Sequence, residues 1–288
     1  MDADALERFL RVLAAEELLV EGPIGTFGLS LVGAELCRDV PGSLHHFVEL
    51  MVGESYAAWA GAGHSLRTGE PAFASVHGKP YFAWLADRPE DQRRFNDGQA
   101  GLVERRLEPL LDRDWSSART VVDVGGGNGR LLSCLLARQP HLRGVLFDLP
   151  HVVDAARTAD GLEERCEFAG GDFFGEVPRG GDVYLLAQIL HDWDDAAAVK
   201  ILRRCRAAIG PEGRLLVVEQ VIREDGRPHP AKQLDLHMLV MLGGRERTES
   251  AWRRLLAEGG FALDSVTVAA RSALIEARPI THQDEEER

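Results

Sequence analysis

Gly125, Gly127 and Gly129 stand at alternate positions in VVDVGGGNG (121–129), between the apolar run TVVDV and the helical run RLLSCLLAR. Glycine lets the backbone turn at positive φ and lets a ligand approach the main chain, so a glycine turn between strand and helix is a cofactor loop. The dinucleotide fingerprint G-x-G-x-x-G would need a glycine where Arg130 stands, which disfavours nicotinamide. Asp123 sits in the run just before the glycines. Asp148, followed by Leu149, ends the next apolar run in FDLP, where a carboxylate can accept hydrogen bonds from both hydroxyls of a ribose. GGDFF (170–174) follows the third run and offers Asp172 to an adenine amino group and Phe173 as a flat apolar neighbour. Each piece has an ordinary reading, a helix N-cap for Asp148 and core packing for Phe173. Together, at successive strand ends and in the right order, they describe a pocket for an adenosine-bearing cofactor. A fourth run leads into ILHDWDD (189–195) and sets His191 at the same rim, where an imidazole can exchange a proton near neutral pH. A lone histidine, however, is more often structural.

These residues need a scaffold, and the periodicity supplies one. After Trp115, TVVDV, RGVLFD, CEFAG, DVYLLAQ, RLLVVEQ and a final pair near 261–277 read as strands, most of them separated by helical runs. Such alternation predicts a mostly parallel sheet covered on both faces, with ligands at the carboxyl ends of its strands. Before Trp115 the pattern is helical. Leu6, Phe9, Leu10 and Leu13 predict a helix with one buried face, GPIGTFGLS (22–30) a hairpin, and Leu31 to Arg38 a short helix stopped by Pro41. Helix, hairpin, helix is the outline of a winged-helix module. From Ser43 to about Leu111, helices broken at GEP (69–71), HGKP (77–80) and DRPE (87–90) predict connecting and lid elements. The division expected is a helical region over 1–111, a catalytic domain over 112–280 and a disordered acidic tail over 281–288.

Composition excludes several function classes. The formal net charge of -13 argues against nucleic acid, whose phosphates are bound by clustered Lys and Arg. No apolar run approaches the roughly 18 residues a membrane helix needs, and no signal peptide opens the chain, so a cytoplasmic protein is expected. Cys37, Cys134, Cys166 and Cys205 stand far apart without a CxxC pair, suggesting reduced core residues and no metal site.

The glycine loop with Asp148 and Asp172 resembles that of the Rossmann-like class I methyltransferases. LHDW (190–193) and GGRERTESAWRRLLAEGGF (243–261) resemble the S-adenosylmethionine-dependent small-molecule O-methyltransferases of the plant caffeate and bacterial polyketide types. PGSL (41–44), RTGEPAF (67–73), HGKPYFAWL (77–85) and FNDG (95–98) match the helical region of that family, so the resemblance spans nearly the whole chain. It implies an α/β fold with a mostly parallel seven-stranded sheet, preceded by a helical region with a partial winged helix. It implies S-adenosylmethionine as cofactor, no metal, a homodimer, and methylation of a hydroxyl on a small phenolic or polyketide-like natural product. Carried over by position, His191 becomes the general base, with Glu219 in LLVVEQ and Glu246 in GGRERTE as its flanking carboxylates. Asp123, Gly125, Gly127, Gly129, Asp148, Leu149, Asp172, Phe173 and Gln188 fall on the cofactor side. Trp84, Phe95, Asn96, Asp192, Trp193, Met238 and Leu242 are the implied substrate walls.

The chemistry fits this assignment. A phenol ionises near pH 10 and a free imidazole near 6.5, so unassisted proton transfer is uphill by about 3.5 units, roughly 5 kcal/mol. A carboxylate on the other ring nitrogen holds the tautomer and stabilises imidazolium as it forms. Plainer readings stand beside it: Glu219 as a strand-end cap, Glu246 paired with Arg245 or Arg247, Asp192 starting the next helix, Trp193 as a core anchor. The chain departs from the family in three places. It begins inside the winged-helix region, which affects the expected dimer; Gln99 stands where a Met is common after FN; and Ala187 and Gln188 stand where a basic residue often precedes LHDW. Competing functions on the same fold are hydroxylation, decarboxylation or carbon methylation. A winged-helix DNA regulator is the rival of another class.

Overall fold

The computed structural model describes residues 1–38, 40, 42–157, 162, 164–269 and 272–281. Pro41 and the acidic residues after 281 lie outside the described residues. Seven strands form the central sheet: β1 Thr120–Val124, β2 Arg143–Asp148, β3 Cys166–Gly170, β4 Val183–Ala187, β5 Arg214–Glu219, β6 Phe261–Val268 and β7 Ala273–Pro279. Their spatial order is β6-β7-β5-β4-β1-β2-β3. β1 to β5 run parallel, and β7 lies antiparallel to both β5 and β6. The final hairpin supplies the antiparallel part of a sheet that is mostly parallel, as expected.

The β-branched runs suit strands buried on both faces. Successive side chains of a strand point to opposite sides, and Val121 and Val122 accordingly enter two different cores. Val122 packs with Tyr184, Leu186, Val217 and Trp252, while Val121 packs with Leu132, Leu135, Leu146 and Leu185. Because β4 sits beside β1 while β2 extends the other way, the strand order reverses between β1 and β4. That reversal opens a crevice at their carboxyl ends.

Helix Ala3–Ala15, a two-stranded hairpin of Leu19–Glu21 and Phe27–Leu29, and helix Leu31–Ala34 open the chain. The apolar face expected to be buried here is largely uncovered: Phe9 is 62% exposed and helix Ala3–Ala15 has no buried residue. The GEP, HGKP and DRPE breaks separate helices Ala62–Thr68, Ala72–His77, Tyr81–Ala86 and Pro89–Ala100. These helices share a third core, around Phe73, Tyr81, Trp84 and Leu85, with Val240 and Met241 from helix Pro230–Met241. That helix follows β5 in the chain, so it ties the helical region over the crevice of the sheet. Cys134 and Cys205 are buried, Cys37 and Cys166 half-buried, and all four are free thiols. Among the described residues no helix is long and apolar enough to cross a membrane.

Candidate active site

A cavity of about 2050 Å³ occupies the crevice. It exceeds the roughly 300–1,000 Å³ that one drug-sized ligand needs, so it can take two molecules side by side. One end is floored by the glycine loop. Gly125 (φ 74°), Gly127 (φ 58°) and Gly129 (φ 75°) all adopt the left-handed conformation that favours glycine. A Cβ on Gly125 would stand 2.6 Å from Cδ1 of Ile189, which shows how closely the loops after β1 and β4 approach. Gly129 does not line the cavity; its role is to start helix Arg130–Arg138 against Leu146 and Leu162. Gly125→Ala is expected to weaken S-adenosylmethionine binding roughly tenfold, since forcing a Cβ into the left-handed region costs about 1–2 kcal/mol. Isothermal titration calorimetry checks it, and an unchanged affinity would contradict the loop's assignment.

Asp148 ends β2 with Oδ2 accepting from Gly127 N at 2.8 Å and Oδ1 from Leu149 N at 2.7 Å. Each carboxylate oxygen retains a lone pair for a diol. Burial raises Asp148, and the same cause pushes Asp123 up to about 7, with the Asp148 charge adding to it. Oδ2 of Asp123 is buried without a hydrogen-bond partner. An orphaned carboxylate oxygen beside a glycine cradle calls for a donor from a bound ligand, and the ammonium of an amino acid moiety supplies one. Asp172 lies at the rim with Oδ1 accepting from Phe174 N, and Phe173 lines the cavity beside it.

Arg106 was missed by sequence reading because nothing in its helix marks it. Its guanidinium lines the cavity and donates to Gln99, and burial lowers it to about 10 against the pull of Glu219, Asp192 and Asp123. Among the described residues no carboxylate pairs with it directly. The loop, the diol acceptor, the orphaned carboxylate and this cation together match the glycine-walled, zwitterion-ended shape of S-adenosylmethionine.

The segment after β4 carries the second half of the site. Gln188 adopts φ 58°, a strained value outside glycine. It persists because its N–H donates to Val218 O at 3.0 Å and its side chain to Glu219 Oε2 at 3.1 Å. Gln188 still lines the cavity, but its carboxamide nitrogen is thus committed to Glu219. Fully buried Glu219 gathers the N–H groups of Ile189, Leu190 and His191 on Oε1, at 3.1, 3.0 and 3.3 Å. It fixes the backbone that carries His191, more than a strand-end cap would.

His191 lines the cavity, while Glu219 and Glu246 stand behind it. Its Nδ1 lies 2.6 Å from Glu246 Oε1 and 3.4 Å from Glu219 Oε2, and its Nε2 3.3 Å from Asp192 Oδ1. Burial pushes Glu246 up to about 8 and both Glu219 and Asp192 up to about 7. His191, Glu219 and Glu246 also lie close enough to hold a cation. Glu219's oxygens are already taken by amide donors, however, and the closest pair is a hydrogen bond, so the cluster is knit by protons.

Glu246 does not pair with Arg245 or Arg247, and Asp192 does not cap the following helix, a task taken by Asp194. Arg247 turns its buried guanidinium on the His191 loop, donating to Leu190 O and Trp193 O at 2.9 Å and to Asp195 Oδ1. Gly244 leaves no room for a Cβ against the backbone of His191 and Asp192, and Arg245 N donates to His191 O at 2.8 Å. Asp235 accepts from Glu246 N at 2.9 Å. GGRERTE therefore braces His191 from behind through three residues besides Glu246.

Phe95, Asn96, Asp192, Trp193, Met238 and Leu242 line the cavity. Trp84 does not. It lies in the helical core, edge-on to Phe73 and under the Arg88 guanidinium, because its helix turns that face inward. Trp59, Phe82 and His237, which sequence reading did not single out, complete the aromatic wall.

Residues 59–262 match the O-methyltransferase domain family. Phenazine O-methyltransferase PhzM of Lysobacter antibioticus is 45% identical over 96% of this chain and 83% of its own length. O-demethylpuromycin-O-methyltransferase of Streptomyces alboniger is 43% identical over 97% of this chain and 77% of its own. The crystal structure of NcsB1, an O-methyltransferase from neocarzinostatin biosynthesis in complex with S-adenosylmethionine and 2-hydroxy-5-methyl naphthoic acid, superposes with a TM-score of 0.82. The two share 33% identity, over 97% of this chain and 86% of that one. With the glycine cradle and the braced His191, these likenesses make the chain a member of the S-adenosylmethionine-dependent O-methyltransferases.

Proposed function

We propose that this protein transfers a methyl group from S-adenosylmethionine to a phenolic hydroxyl of a small aromatic natural product, with His191 as general base. The observation that carries the reading is the 2.6 Å contact between His191 Nδ1 and Glu246 Oε1, with the ring on the cavity wall between the glycine loop and the aromatic side chains. S-adenosylmethionine, when bound, supplies a methyl group on a positively charged sulfur. Asp148 would hold the ribose, Asp123 and Arg106 the two charges of the amino acid end, and Phe173 the adenine. Glu246 keeps the proton on Nδ1, which leaves the Nε2 lone pair for the hydroxyl proton. As imidazolium forms, Glu246 and Asp192 offset its charge and close part of the gap of roughly 5 kcal/mol between phenol and imidazole. Phe95, Trp193 and Met238 would hold the ring flat, supplying orientation.

Hydroxylation or decarboxylation would use the same cavity but give the His191–Glu246 pair no hydroxyl proton to take, while carbon methylation also releases a proton and is told apart by the atom that carries the label. The test is incubation with methyl-labelled S-adenosylmethionine and a panel of hydroxylated naphthoates, phenazines and anthraquinones. Label on a product oxygen, with a mass gain of one methylene, supports the reading. Label on carbon or nitrogen only, or oxygen gained without label, overturns it. The helical residues 1–111 are proposed as the lid and as the region that pairs two copies, supported by the uncovered apolar residues Phe9, Val12, Leu29, Leu31 and Val32.

A further inference from the structure

Trp59 and His237 meet on the cavity wall from distant parts of the chain, one on helix Glu54–Ala60 and the other on helix Pro230–Met241. Indole Nε1–H of Trp59 donates to His237 Nδ1 at 3.0 Å, and the two rings lie edge to edge with centroids 6.2 Å apart and planes 20° from parallel. An indole nitrogen can only donate. His237 Nδ1 must therefore be the bare, accepting nitrogen, and a neutral ring in that state carries its proton on Nε2. Burial, and secondarily the nearby His191, push His237 down to about 4, so the ring is neutral in neutral solution. Nε2 has no hydrogen-bond partner among the described residues. The result is an N–H donor of fixed tautomer in a cavity whose lining also includes Phe82, Phe95, Met238 and Met241.

We infer that His237, held in one tautomer by Trp59, is a specificity-determining residue that donates Nε2–H to a carbonyl oxygen or ring nitrogen of the aromatic substrate. The inference rests on the aromatic O-methyl transfer proposed above and narrows its substrate class. The acceptor is an atom other than the hydroxyl that is methylated, which belongs to His191. Such a donor discriminates between rings, because a ring lacking the acceptor covers the N–H and leaves it unpaired. Without the indole the imidazole could place its proton on either nitrogen, and half of the selectivity device would be lost.

The test uses three tricyclic rings of similar shape: 1-hydroxyphenazine with ring nitrogens, 1-hydroxyanthraquinone with carbonyls, and 1-hydroxyanthracene with neither. Dissociation constants are measured on the protein saturated with S-adenosylhomocysteine. The protein should bind the better of the two acceptor-bearing rings roughly three- to tenfold tighter than the hydrocarbon ring, the range for one hydrogen bond. His237→Leu should level the affinities, Trp59→Phe should narrow the difference, and His237→Gln, which still presents an N–H, should keep part of it and serves as the fold control. Equal affinity for all three rings, or a preference that survives His237→Leu, overturns the inference. Labelled methyl transfer is read separately on the same rings. Transfer to oxygen without ring preference sinks this inference and leaves the proposed reaction standing, whereas a His237-dependent preference without transfer to oxygen sinks the reaction.

Discussion

Alanine at His191 is expected to lower kcat by roughly 10²–10⁴-fold, the range a positioned general base contributes, with the S-adenosylmethionine dissociation constant changed by less than about twofold. The split follows from where the ring stands. Its nitrogens contact Glu246, Glu219 and Asp192, whereas Asp148 and the glycine loop are held by contacts of their own, none of them to the His191 side chain. The backbone of residue 191 also keeps its supports, because Glu219 takes its N–H and Arg245 N donates to its carbonyl whatever the side chain. Alanine does leave Glu246 without its closest partner, an unpaired polar group that costs about 1–3 kcal/mol. Melting temperatures of the Ala and Gln variants separate that cost from catalysis. Steady-state kinetics with calorimetric titration of the cofactor decide the matter: comparable losses in kcat and in cofactor affinity would mean His191 is structural.

The sheet was legible because its residues obey one simple rule: a strand buried on both faces reads as a largely apolar run, and β1, β2, β4 and β5 do so. The cofactor loop was legible because positive φ favours glycine, and four glycines in nine residues, three of them at positive φ, leave a visible trace. Resemblance, not periodicity, brought Glu219 and Glu246 to His191 from 28 and 55 residues away. What stayed hidden shares a cause. Arg106, Arg247 and Gly244 act through main-chain contacts or long-range charge, which leave no spacing in the sequence. Trp84 was misplaced for the converse reason, since an aromatic on a short helix does not announce which face turns to the cavity. Leu6, Phe9, Leu10 and Leu13 form the helix their spacing predicts, but periodicity says that a face is apolar and not what covers it.

Glu246→Gln is expected to lower kcat roughly 10- to 100-fold, because a hydrogen bond to a charged partner is worth about 1.5–3 kcal/mol. Glutamine keeps the volume and can still accept from Nδ1, so the tautomer survives and only the charge that offsets imidazolium is lost. The pH dependence carries the stronger test. Burial pushes Glu246 up to about 8, with Asp235 adding to it and Arg247 opposing, and pushes Glu219 and Asp192 to about 7. Below that window protons occupy the cluster and Glu246 no longer accepts from Nδ1. Above it the carboxylates are ionised and Nε2 is free to act. The protein's kcat/KM should thus rise as pH passes through 7 to 8 and level off above, with apparent pKa values that belong to the cluster as a whole. The variant should lack the upper part of that rise. Stability must move the other way. A carboxyl whose folded pKa is raised contributes fully below its unfolded value near 4.5 and loses that contribution as pH rises through its folded value. Glutamine, always neutral, escapes this loss, so the variant's melting temperature should gain on the parent's between pH 5 and pH 8.5. Parallel pH profiles, or a melting difference constant across that range, would show that Glu246 does not exchange a proton with the site. A slower enzyme that is more stable in alkali is the combined signature of a buried carboxylate kept for its charge.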